Sequence, residues 1–179
     1  MKIDPQPPFE MLEASLQRMS VRLPEAPVTG ILLSRMLINM GRGMAEFLEQ
    51  QIRPFGLAEA EFRVLTTLFS QPEGVAHPGE LCARTSQRPA NMSRISDCLV
   101  SRNLITRVSS ARDRRRMVLR ITAEGEELVR RLLPMMFTRL REMLCDIPEA
   151  EQQQLIVQLK RLGGRLDVAM AEHGAEKAL

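Results

Sequence analysis

Apolar residues recur along most of this chain at spacings of three and four. A spacing of two appears in only one stretch. Phe9, Leu12, Leu16 and Met19 form the first stripe, and Pro24 and Pro27 close it. Such spacing gathers side chains on one helical face. A helix this short cannot bury that face alone, so it must dock on something. Leu33, Met36, Leu37, Met40, Met44, Phe47, Leu48 and Ile52 make a longer stripe, which predicts a helix over 28–53 that Pro54-Phe55-Gly56 stops. Gly41 and Gly43 weaken that helix by roughly 1 kcal/mol each relative to alanine. A helix over 57–70 follows, with Phe62, Leu65, Leu68 and Phe69 inward, and Gln71-Pro72-Glu73-Gly74 reads as a turn.

Two short helices come next. The first is predicted over 78–84 with Leu81 inward. The second spans 89–102, where Pro89 suits the first helical position. Met92, Ile95, Cys98 and Leu99 face the core, while Asn91, Ser93, Arg94 and Asp97 fall on or near the other side. Asn103 ends this helix, because asparagine tolerates the left-handed conformation a helix end often needs. The spacing of two appears in Met117, Leu119 and Ile121, which alternate with Val118 and Arg120. Residues 105–109 and 117–121 are therefore predicted strands, joined by the polar tip Ser110-Ala111-Arg112-Asp113-Arg114-Arg115-Arg116. Thr122 caps a long helix that runs to about Cys145, with Glu124, Glu126 and Glu127 in its first turn and a kink expected at Pro134. Pro148 opens a last helix with Leu155, Leu159, Leu162 and Leu166 on one face.

The pattern describes a mainly α chain with one small β-hairpin (α+β), in the order of a winged helix-turn-helix flanked by long helices. Charge sharpens this. The formal net charge is only +3, yet residues 84–120 hold ten arginines, no lysine and two acids, Asp97 and Asp113. That stretch carries +8 and the remainder −5. Arginine is favoured over lysine throughout, with 22 Arg and three Lys, but such a bias does not explain why acids leave one segment. Concentrated positive charge on one module supplies the sequence-independent part of DNA affinity. With six Phe and neither Trp nor Tyr, the chain lacks the aromatic platforms that single-strand binders stack bases on. The ten residues MKIDPQPPFE hold no secretion-signal core, and no run reaches the ~18 apolar residues of a membrane span, so a cytoplasmic location is expected. Three widely spaced cysteines, Cys82, Cys98 and Cys145, make neither a disulfide framework nor a zinc pattern. No cofactor and no metal are expected.

A recognition helix in the major groove needs short polar or arginine side chains outward. Arg88, Asn91, Ser93 and Arg94 fit that need. A basic hairpin tip reaches the backbone or the narrow minor groove, and Arg112, Arg114 and Arg115 suit it. Asp113 then holds an arginine in position through a paired hydrogen bond.

Three segments resemble the MarR family (multiple antibiotic resistance regulators). They are Gly56-Leu57-Ala58-Glu59-Ala60-Glu61-Phe62-Arg63-Val64-Leu65, the run Asn91 to Val100 followed by Asn103-Leu104-Ile105-Thr106-Arg107, and Arg112-Asp113-Arg114-Arg115-Arg116 leading through a strand into Thr122-Ala123-Glu124-Gly125. The last is similar to that family's wing motif. Asn103 stands where the family usually has glycine. The resemblance covers roughly residues 30–170. It implies a homodimer held by helices over 28–54 and 122–172, a winged helix-turn-helix over 57–121 within a body of 28–172, and a pseudo-palindromic double-stranded DNA operator. Residues 1–27 then form an arm and 173–179 a tail. It also implies a small-molecule effector in a cleft, where Arg35, Asn39, Arg63 and His77 are candidates and an arginine suits an aromatic carboxylate.

Each of these residues has a plainer reading. Arg35 equally suits a surface ion pair, His77 a loop surface, and the Met36, Met40 and Met44 stripe a core or dimer seam. The leading function is a ligand-released transcriptional repressor. Alternatives are a regulator switched by oxidation of Cys98 or Cys82 and a nonspecific architectural DNA binder. An enzyme is not expected, since the chain has two histidines, no Gly-rich phosphate loop and no nucleophile–histidine set.

Overall fold

The computed structural model describes residues 9–109 and 117–176. In chain order the elements are α1 (Phe9–Arg22), α2 (Val28–Ile52), a 3-10 turn (Arg53–Phe55), α3 (Glu59–Phe69), β1 (Val75–Ala76), α4 (Pro78–Thr85), α5 (Pro89–Ser101), β2 (Ile105–Ser109), β3 (Met117–Ile121), α6 (Ala123–Met143) and α7 (Glu149–Glu176). The mainly helical reading with a hairpin wing holds. Strand β1 was not expected, because two residues are too few to show a period. It pairs antiparallel with β3, Val75 opposite Arg120 and Ala76 opposite Leu119, so the sheet order is β1-β3-β2.

By internal contacts the chain divides into a unit ending at Arg130 and a unit beginning at Arg131. In the first, α3 packs on α2, α4, α5 and β3. Its core gathers Ile52, Leu65, Leu68, Leu81, Met92, Ile95, Leu99, Ile105 and Leu119, all buried. The element ends follow local chemistry. His77 and Arg88 are extended, and each is followed by a proline at the start of α4 or α5. A proline pushes its predecessor out of helical conformation and loses nothing by lacking an N–H at that position. Asn103 adopts a left-handed φ of 56° after α5, as expected of it. Thr122 caps α6 by accepting the Gly125 N–H at 3.0 Å, and its hydroxyl donates to the Asn103 carbonyl at 2.6 Å. Gly125 has no alternative: a Cβ there falls inside the Leu104 carbonyl oxygen and 2.9 Å from Ile121 Cγ1.

In the second unit, α6 runs through Pro134 as one helix to Met143. Leu132 and Met136 are buried, while Met135, Phe137 and Met143 are exposed. On α7, Leu155, Leu159, Leu162 and Leu166 are all exposed. On α2, Leu33, Ile38, Met40 and Met44 are exposed as well. These stripes are long and regular, and among the described residues their apolar side chains stand exposed.

Candidate nucleic-acid interface

The outward face of α5 carries Arg88, Ser93 and Arg94, all exposed, beside half-buried Asn91. Its inward face is Met92, Ile95, Ser96 and Leu99. The thirteen-residue helix thus sorts its side chains as its spacing predicted. The polar side chains are ordered among themselves. Asn91 Nδ2 donates to Gln87 Oε1 at 2.5 Å, and Arg94 Nε and Nη2 donate to Asn91 Oδ1 at 3.3 and 3.2 Å. Gln87 therefore fixes which way the Asn91 amide faces, and Asn91 in turn holds the guanidinium. Arg88 is the residue before the first turn of α5, so it lies where unpaired backbone N–H groups attract anions. The predicted tip residues Arg112, Asp113, Arg114 and Arg115 lie outside the described residues.

The +8 stretch does not all point outward. Arg107 pairs with Asp97 at 2.5 Å, Arg84 with Glu80 at 3.2 Å, and Arg120 reaches the Glu73 carbonyl at 3.5 Å. Arg102 turns inward to the corner between α2 and α3. Its Nη1 donates to the Gly56 carbonyl at 2.6 Å and its Nη2 to that of Phe55 at 2.9 Å. Glu61 lies 3.9 Å from Arg102 Nη1 and also accepts the Ala58 N–H at 3.0 Å. Hydrogen bonding with Glu61, then burial, then the charge of Glu61 push the Cys98 thiol above its ordinary 9.0, against the opposing pull of Arg102 and Arg94. Sequence reasoning missed this cluster, since Arg102 and Gly56 are 46 residues apart and no periodicity links them.

The effector candidates separate. Arg35 and Asn39 line one pocket of about 270 Å³ with Leu12 and Ile38, between α1 and α2. Arg63 is exposed and pairs with Glu59 one turn earlier on α3. His77 sits at the N-cap of α4, where its carbonyl accepts the Leu81 N–H at 3.0 Å. Neither borders that pocket. A larger cavity, about 550 Å³, lies beneath α5 and the wing, among Pro78, Cys82, Met92, Ser96, Asp97, Arg107, Met117 and Leu119. Cys82 and Cys98 are half-buried and Cys145 is exposed. Among the described residues no His, Cys, Asp or Glu cluster is arranged to hold a metal, and no helix is long and apolar enough to cross a membrane.

Residues 55–116 match the model of the MarR family. The chain is 33% identical over 160 residues to the transcriptional repressor MprA of Escherichia coli K12, which spans 89% of this chain and 90% of that protein. Its fold superposes on Staphylococcus aureus MepR in complex with DNA with a TM-score of 0.68, at 17% identity over 74% of this chain and 95% of the other. It also superposes on Bordetella bronchiseptica BpsR, whose DNA binding is regulated by 6-hydroxynicotinic acid, with a TM-score of 0.64, at 20% identity over 73% and 91% of the two chains. The winged-helix fold, the family match and a relative similar over most of both chains agree: the chain belongs to the MarR family of winged-helix transcriptional regulators.

Proposed function

We propose that the protein is a homodimeric repressor that occupies a pseudo-palindromic operator and leaves it when an aromatic carboxylate binds. The observation that carries this reading is the outer face of α5, where Asn91 and Arg94 form an ordered donor and acceptor set flanked by Arg88 and Ser93. Such groups match base edges in the major groove, and arginine pairs with guanine O6 and N7. Arg112, Arg114 and Arg115 in the wing tip supply contacts to the DNA backbone or minor groove, with Asp113 orienting one of them. The second copy accounts for the bare apolar stripes of α2 and α7, since monomeric proteins seldom leave patches beyond a few hundred Å² open. A two-fold dimer then sets two half-sites about one DNA turn apart.

The effector reading rests on the pocket that Arg35 and Asn39 share, where a guanidinium beside Leu12 and Ile38 suits a ring with a carboxylate. The cavity beneath α5 supports a second location, with Arg107 as the cation and Asp97 as the group a ligand displaces. Release requires that the effector bind the DNA-incompetent arrangement more tightly than the competent one. Redox switching at Cys98 fits less well, because the Glu61 partner disfavours the reactive thiolate.

Fluorescence anisotropy with the DNA upstream of the protein's own gene and with a scrambled duplex, at two salt concentrations and with a panel of aromatic carboxylates, tests the whole reading. A strong preference for the upstream duplex, abolished by one compound, supports it. Arg94→Ala then costs about 1–3 kcal/mol on the operator and relaxes sequence preference, whereas Arg114→Ala weakens both duplexes evenly. Loss of release in Arg35→Ala but not Arg107→Ala identifies the pocket between α1 and α2, and the converse identifies the cavity beneath α5. Equal wild-type binding to upstream, scrambled and library-selected duplexes overturns the repressor reading in favour of an architectural binder.

A further inference from the structure

We propose that Arg102 is a positioning residue for DNA recognition: it ties the C-terminal end of α5 to the corner between α2 and α3, and so sets the pose in which α5 meets the groove. The inference rests on the reading of α5 as the recognition helix. Arg102 is the C-cap residue of α5, so its backbone is part of that helix's end. Its side chain leaves the helix and satisfies two carbonyls, those of Phe55 and Gly56, at 2.9 and 2.6 Å. Carbonyls that follow a helix carry partial negative charge and lack partners within it. A planar guanidinium with two parallel donors fits such a pair, and lysine does not.

The corner itself is built to receive the guanidinium. Gly56 has a φ of +66°, which turns the chain so that neighbouring carbonyls face Arg102. Glu61 backs the guanidinium at 3.9 Å, is itself buried, accepts the Ala58 N–H at 3.0 Å, and lies close enough to Cys98 to raise its thiol. One end of the cluster is thus in α5, at Cys98 and Arg102, and the other at the start of α3. Arg102 is spent on backbone carbonyls and is not offered to phosphate. This separates it from the arginines on the outer face. Rotating α5 about its long axis or tilting its C-terminal end breaks two hydrogen bonds from the charged guanidinium at once, so the clamp resists the motions that would misalign Asn91 and Arg94.

The test uses a duplex enriched by the full-length wild-type chain from a randomised pool, and a scrambled duplex of equal length. Arg102→Ala is expected to lower the affinity ratio of enriched over scrambled by about tenfold. Its scrambled-duplex affinity and its log affinity against log salt slope stay as in wild type, because no phosphate contact is lost. Arg102→Lys recovers part of the ratio through one carbonyl. The alkylation rate of Cys98 reports the cluster itself, with Cys82 and Cys145 replaced by serine. It slows in Arg102→Ala, where the Glu61 charge is left less balanced, and quickens in Glu61→Gln. Unfolding would instead quicken both. An unchanged ratio in Arg102→Ala overturns the proposal. So does a salt slope reduced by about one with equal losses on both duplexes, since Arg102 is then a phosphate contact. A wild-type chain that enriches no sequence refutes the recognition reading beneath it.

Discussion

Replacing Gly125 with alanine sets two physical effects against each other, and the structure decides the sign. Alanine in a helix is favoured over glycine by about 1 kcal/mol in the interior, and by less at the third residue of α6. From composition alone, Gly125→Ala is therefore stabilising. The structure says otherwise. The added Cβ falls inside the Leu104 carbonyl oxygen and 2.9 Å from Ile121 Cγ1. The carbonyl cannot step aside cheaply, since it accepts the Thr122 N–H at 3.1 Å, while Thr122 also holds the Asn103 carbonyl and the Gly125 N–H. Overpacking against a fixed neighbour costs about 1–3 kcal/mol and belongs here at the upper end. After the propensity gain, a net loss of about 2 kcal/mol remains. For a chain of this size that lowers Tm by roughly 4–8 °C. Differential scanning calorimetry at one fixed protein concentration measures it, with Gly79→Ala as the control. Nothing lies within 4 Å of a Cβ at Gly79, so that variant should gain about 0.4–1 kcal/mol. A Tm for Gly125→Ala equal to or above wild type would refute the steric argument.

Leu99 is fully buried between α5 and the core, so Leu99→Ala should cost about 2–5 kcal/mol in urea unfolding, and a loss under 1 would mean the site collapses freely. Cys98 has its folded pKa raised, chiefly by Glu61, so its contribution to stability is complete below the ordinary 9.0 and is lost as pH climbs through the raised folded value. Cys98→Ser, which does not titrate, should flatten the alkaline fall of Tm measured from neutral pH upward, and an identical fall in both proteins would contradict this. Leu159 is exposed in the middle of the α7 stripe, so Leu159→Glu should shift sedimentation velocity toward monomer, while an unchanged dimer removes that stripe from the interface.

The elements were legible because α2 through α7 each bury or expose a regular stripe, and because their ends are marked locally, by backbone sterics at Pro78, Pro89 and Asn103 and by a side-chain cap at Thr122. The outer face of α5 was legible for the same reason, with Ser93 and Arg94 outward and Met92 and Ile95 inward as the period demands. What was hidden is the division of labour among the arginines. Charge counting treats Arg94, Arg102 and Arg107 alike, yet one faces outward, one caps a distant corner and one pairs with Asp97 across ten residues. Those roles arise from tertiary closure, which leaves no local pattern. Strand β1 was hidden by shortness. The pocket joining Arg35 with Asn39 follows from helical spacing on α2, but Arg63 on α3 and His77 before α4 do not line it, which only the tertiary arrangement shows.

That two-residue β1 has a consequence for the protein in a crowded cell. A protruding hairpin normally presents two open flanks, each a template onto which a foreign strand can add. Here Val75 and Ala76 cover β3 along Arg120 and Leu119 on one side, and β2 pairs along its whole length on the other. Among the described residues the sheet's open rims are the two-residue β1, too short to template a long strand, and β2, at whose midpoint stands Arg107, exposed and charged. Two residues thus spare the wing from becoming a seed for sheet-to-sheet aggregation when many copies crowd together.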